Sequence, residues 1–131
     1  MILALRTDKP EAELYLMQSD GAIVDSVVWH AHRQLSDTLL IKIDALLAKK
    51  KLVQREIDGL ISYQGPGSFT GLRIGMTVAN TVAYVLGVPH VGAQSDSWLE
   101  SGVKQLTNTS TKNPIVTPEY GADANVTRPR K

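Results

Sequence analysis

The apolar pattern of this chain changes period once, near residue 31, and that switch limits the architectures open to it. Before it, residues 1–5, 14–17 and 23–29 form short apolar runs. They are separated by Asp8-Lys9-Pro10 and by Ser19-Asp20-Gly21, both turn-forming. Three strands on such short connections predict an antiparallel meander. After the switch, Leu35, Leu39, Leu40, Ile43, Leu46 and Leu47 recur at helical spacing and predict one amphipathic helix. Ser36 is the expected N-cap, Asp37 lies in the first turn, and Lys49, Lys50 and Lys51 close the other end, in keeping with the helix dipole. The lysines read as a solvated terminus rather than a binding patch.

Beyond this helix, residues 57–63 predict a fourth strand. A glycine-rich turn follows, then a second helix over residues 68–86, which Gly87-Val88-Pro89 ends. His90 and Val91 predict a short fifth strand and residues 95–106 a third helix. The order is that of an α/β domain, a mixed five-stranded sheet flanked by helices. From Thr107 the composition turns to Thr, Asn, Ser, Pro and Lys, so residues 1–106 read as the domain and 107–131 as an extended or flexible tail.

A chain of 131 residues is long enough for one core. Its net charge of +1 argues against a broad nucleic-acid-binding face, which needs a basic excess. The basic finish, Arg128-Pro129-Arg130-Lys131, reads as a solvated end, with contact to tRNA phosphates or a partner as the alternative. With no cysteine there are no disulfides and no thiolate metal sites, which fits a reducing, cytoplasmic setting. No signal peptide is expected at the start. The apolar stretch over residues 74–91 is broken by Thr77, Asn80 and Thr81, so a membrane span is not expected.

Few residues offer chemistry. Gly71 is followed by Leu72 rather than the Lys a phosphate-binding Walker loop requires, and the turn lacks the Gly-x-Gly-x-x-Gly of a dinucleotide site. The glycines and Pro66 therefore read as a tight turn. His30 and His32 lie close in sequence without a metal-ligand pattern, and Ser68 lacks a nucleophile-elbow context. No catalytic residue, metal or cofactor is expected. The second helix carries more information. Gly71, Gly75, Ala79 and Ala83 recur every four residues and form a ridge with almost no side chain. Two helical glycines cost about 1 kcal/mol each, which close packing would offset, either within the chain or against a partner's helix. Leu72, Ile74, Met76, Val78, Val82, Val85 and Leu86 make the rest of that helix apolar nearly all round. Arg73, Thr77, Asn80 and Tyr84 form a thin polar stripe.

The segment Gly65-Pro66-Gly67-Ser68-Phe69-Thr70-Gly71-Leu72-Arg73-Ile74-Gly75 resembles the hallmark of the TsaB (YeaZ) family. The opening Met1-Ile2-Leu3-Ala4-Leu5, Ile57-Asp58-Gly59-Leu60, and Gly87-Val88-Pro89 with Val91-Gly92 agree with it, so the likeness covers residues 1–99. The resemblance implies one half of an actin-like ATPase (ASKHA, RNase H-like) fold. It also implies a non-catalytic subunit that pairs with the catalytic subunit TsaD. Together with the ATPase TsaE, that complex places a threonylcarbamoyl group on tRNA, which the subunit itself meets only indirectly. Pairing by helices of the first half, in a bundle that also supports homodimers, implies an interface at Leu39, Ile43, Leu46, Gly71, Gly75, Met76, Ala79 and Ala83. A bulky residue at Gly75 is then expected to abolish pairing while the monomer stays folded.

Three features depart from the family pattern. Leu5-Arg6-Thr7-Asp8 stands where the family reads Ile-Asp-Thr-Ser, so Arg6 replaces the Asp that active superfamily members direct toward metal and phosphate. Leu35-Ser36-Asp37 stands where His-Ser-Glu is common. The chain lacks the length for a second half, while Pro118-Glu119-Tyr120 resembles the family's C-terminal tail, which implies an internal loss. Two alternatives stay open: a nucleotide hydrolase or phosphotransferase using Thr7 and the glycine turn, and a self-associating structural homodimer.

Overall fold

The computed structural model describes residues 1–67, 69–108 and 116–117, without the side chains of His32 and Phe69. Its elements follow the order β1 (Ile2–Arg6), β2 (Glu11–Met17), β3 (Ile23–His30), α1 (Leu35–Lys49), β4 (Gly59–Tyr63), α2 (Phe69–Leu86), β5 (His90–Ala93) and α3 (Trp98–Asn108). The sheet order is β3-β2-β1-β4-β5. The first three strands form the antiparallel meander, with Leu3 opposite Leu16 and Leu5 opposite Leu14. On its other edge β1 pairs parallel with β4, and β4 with β5.

Alternation along β1 divides its side chains between two layers. Leu3 and Leu5, with Leu14 and Leu16 of β2, pack against Leu39, Ile43 and Leu47 of α1 and Ala79 and Ala83 of α2. Ile2 and Ala4, with Ile61, Tyr63 and Val91, pack against Trp98 and the partly buried Leu99, Val103 and Leu106 of α3. Helices α1 and α2 thus lie side by side on one face of the sheet, and α3 covers the other. A buried central strand reads as a continuous apolar run because both faces are covered, and β4 is buried along its whole length.

Helix ends differ from the expectation in instructive ways. Ser36 is not the N-cap. A single 3-10 turn over His32–Gln34 leads directly into Leu35, and Gln34 caps without a side-chain bond. Trp29 and Thr38 tie the junction instead: the Trp29 indole donates to Thr38 Oγ1 at 3.1 Å, and that hydroxyl donates to the Gln34 carbonyl at 2.8 Å. At the far end Lys51 adopts φ 59°. The Leu52 N–H then reaches the Leu47 carbonyl at 2.9 Å, closing the helix as a left-handed residue does. The third helix begins at Trp98 rather than Ser95, because Ser95 sits at φ 75°, outside the helical region. No helix among the described residues is long and apolar enough to cross a membrane.

Candidate functional site

The glycine-rich turn joins β4 to α2 and lies against the end of β1. Gly65 has φ 109°, a conformation that favours glycine. Gly67 lies so close to Asp8 that a β-carbon there would run into the Asp8 side chain. Asp8 accepts from Arg6 Nε at 2.8 Å and from Arg6 Nη2 at 3.2 Å. The Arg6 guanidinium also lies 3.9 Å from the centroid of the Tyr63 ring. Its pKa is raised, first by the Asp8 hydrogen bond, with burial acting against it. Thr7 is buried and donates its hydroxyl to the Gly71 carbonyl at 2.8 Å. These contacts stitch the end of β1 to the first turn of α2. Ser68, expected within this turn, lies outside the described residues, as do the side chains of Phe69 and His32.

The residues expected at an interface sit mostly inside the chain. Leu39, Ile43, Leu46, Met76, Ala79 and Ala83 are all buried, between 0% and 3% exposed. Gly75 is buried and Gly71 partly so. The small-residue ridge lets α2 approach the chain's own sheet, its intramolecular reading. Gly75 faces Thr7, and a β-carbon at that position would strike the Thr7 side chain. A bulky residue there therefore disturbs the monomer itself, so such a variant cannot separate folding from pairing. The outward faces of the two helices carry other residues: Leu40 and Ile41 on α1 and Tyr84 and Val85 on α2 are 48%, 65%, 76% and 73% exposed.

Of the stripe Arg73, Thr77, Asn80 and Tyr84, three residues are exposed and Asn80 is not. Asn80 Oδ1 lies 2.8 Å from His90 Nδ1, and His90 Nε2 lies 2.7 Å from Ser62 Oγ. His90 is 1% and Ser62 0% exposed. Asn80 also bonds the main chain of Val116 through both ends of its amide, at 3.1 and 2.9 Å. Burial pushes the His90 pKa from 6.5 down to about 4. The Asn80 oxygen can only accept, so His90 carries its proton on Nδ1 and accepts the Ser62 hydroxyl at Nε2. Helical periodicity misses this group. Its legible trace is a lone Ser and a lone His in two otherwise apolar strands, since a buried polar side chain needs a partner.

His30 lies 3.4 Å from Glu11 on exposed surface. Among the described residues, no three His, Asp or Glu side chains gather as metal ligands. A cavity of about 280 Å³ lies beside the turn, lined by Thr7, Lys9, Arg33, Thr70, Gly71 and Ile74 among others.

The family model described as "TsaD: tRNA N6-adenosine threonylcarbamoyltransferase" matches residues 23–120. The tRNA threonylcarbamoyladenosine biosynthesis protein TsaB of Bacillus subtilis is 28% identical over 88 residues, covering 67% of this chain and 38% of the relative. The tRNA N6-adenosine threonylcarbamoyltransferase of Bartonella bacilliformis is 34% identical over 71 residues, covering 54% of this chain and 19% of the relative. Among solved structures, YeaZ from Pseudomonas aeruginosa superposes with a TM-score of 0.65 at 27% identity, over 71% of this chain and 43% of that one. The chain thus spans less than half the length of these relatives.

Proposed function

The chain belongs to the TsaD family and is a TsaB (YeaZ) member of it, and on that premise we propose that it is a non-catalytic partner subunit of a TsaD-like enzyme in the synthesis of threonylcarbamoyladenosine in tRNA. Its α/β fold is the actin-like half-domain that the hallmark segment implied. The observation that carries the proposal is the outer surface of α1 and α2. These helices pack together on one face of the sheet, and Leu40, Ile41, Tyr84 and Val85 leave large apolar groups in water. Such a surface is what an amphipathic partner helix covers. The interface we assign is therefore the outward face of the two helices. The buried set at Leu39, Ile43, Leu46, Gly75, Met76, Ala79 and Ala83 supports it from beneath.

Two features favour leaving chemistry to the partner. Arg6 occupies the end of β1 and is engaged by Asp8 and Tyr63. The Thr7 hydroxyl is spent on the Gly71 carbonyl. We place the complex in the cytoplasm, with a TsaE-like ATPase as a further member and tRNA held by the other subunits.

A Val85→Glu variant tests the assigned face. Burying its charge against a partner's apolar surface costs about 2 kcal/mol or more, so the affinity for the TsaD-like subunit should fall ~30-fold. The thermal midpoint of the lone chain should not move, because residue 85 is exposed. Unchanged affinity, read by calorimetry, would contradict the assignment.

A further inference from the structure

Val116 and Thr117 lie eight and nine residues beyond the end of α3, and they are held by the side chains of Gln64, just past β4, and of Asn80 on α2. Asn80 grips Val116 at both main-chain groups: its Oδ1 accepts the Val116 N–H at 3.1 Å, and its Nδ2 donates to the Val116 carbonyl at 2.9 Å. A residue whose N–H and C=O both reach one partner presents them on the same side, as in a strand. Gln64 Nε2 donates to the next carbonyl, that of Thr117, at 2.8 Å. The Val116 side chain is 8% exposed. The space for it exists because β5 carries a glycine here: a β-carbon at Gly92 would lie 2.9 Å from Val116 Cγ1 and 2.9 Å from the Gln64 amide.

The grip is preorganised from below. His90 and Ser62, both buried, fix the Asn80 amide by a chain of two hydrogen bonds. An amide held in one orientation offers a fixed acceptor and donor pair, and binding then costs little ordering. Both amides contact main-chain atoms, so among the described residues the side-chain selection comes from the small space over Gly92.

We propose that Gln64, Asn80 and Gly92 form a binding slot for an extended peptide segment, which takes the segment's main chain and one aliphatic β-branched side chain, and that the chain's own Val116 and Thr117 are its occupant. The tethered occupant competes at an effective concentration of about millimolar, so a free peptide enters only once it is displaced.

The test uses the full chain carrying Val116→Asp, which sets a carboxylate over Gly92, and a labelled synthetic peptide of residues 111–120. Fluorescence anisotropy should show saturable one-to-one binding to this variant and at least tenfold weaker binding to the unaltered chain. Adding Asn80→Ala to the variant should weaken binding at least tenfold. A peptide with Asp in place of Val116 should not bind. Absence of saturable binding by a Val116→Asp chain of native circular dichroism would overturn the proposal, and so would binding that ignores Asn80. Should Val116→Asp fail to fold, amide hydrogen exchange in otherwise unaltered chains decides. The Val116 N–H should exchange at least tenfold faster in Asn80→Ala than in the parent, and equal rates would overturn the proposal.

Discussion

Truncating Leu39 to alanine is expected to lower the unfolding free energy of the lone chain by about 2–5 kcal/mol, the usual cost of a cavity in a closed core. Truncating Ile41, two residues further along the same helix, is expected to change it by less than about 0.5 kcal/mol. Leu39 is fully buried among Leu3, Leu5, Ile43 and Ala83, whereas Ile41 is 65% exposed. Urea unfolding at a fixed, dilute protein concentration measures both. Equal losses at the two positions would contradict the orientation of α1. A loss at Ile41 that grows with protein concentration would reveal self-association through the outer face.

That contrast also marks where the sequence stops being legible. The stripe from Leu35 to Leu47 identified α1, and five of its six members are buried; Leu40 is not. Successive residues of a helix lie about 100° apart, so a wide stripe has a flank that periodicity does not assign. The second helix is harder still. Its apolar residues run nearly all round, so no pattern says which side meets the sheet. The small-residue ridge announced close packing correctly as geometry, but its partner is Thr7 and the chain's own sheet. The meander, the order of elements and the hallmark turn were legible because each depends on local turn chemistry and period. Ser36 as a cap failed because tertiary bonds from Trp29 fixed the helix entry. The Asn80, His90 and Ser62 group left only a lone Ser and a lone His as its trace, because it joins three elements through parallel strand pairing, a long-range fact. Of residues 107–131, read as a tail, α3 takes Thr107 and Asn108, and Val116 is buried.

Acidification should weaken the fold in a window set by His90. Its pKa is about 4 in the folded chain, because burial disfavours the imidazolium, against 6.5 when unperturbed. Between those values the unfolded chain binds a proton that the folded chain refuses. The contribution is therefore complete above pH 6.5 and is lost as pH falls toward 4, for a total of about 3 kcal/mol. Urea midpoints at about pH 7 and about pH 4 should differ accordingly. In His90→Gln the neutral amide still reaches Asn80 but does not titrate, so stability at neutral pH should drop and this part of the pH dependence should vanish. A slope unchanged by the substitution would show that His90 is not the titrating group.

Assembly with a TsaD-like enzyme is the role proposed for this chain. Its most direct measurement is the molar mass of this chain co-expressed with the TsaD-like protein of the same genome, read by size exclusion with light scattering. The expected result is a stoichiometric complex that co-purifies and persists on dilution. A chain that elutes alone, or only as a pair with itself, would contradict it.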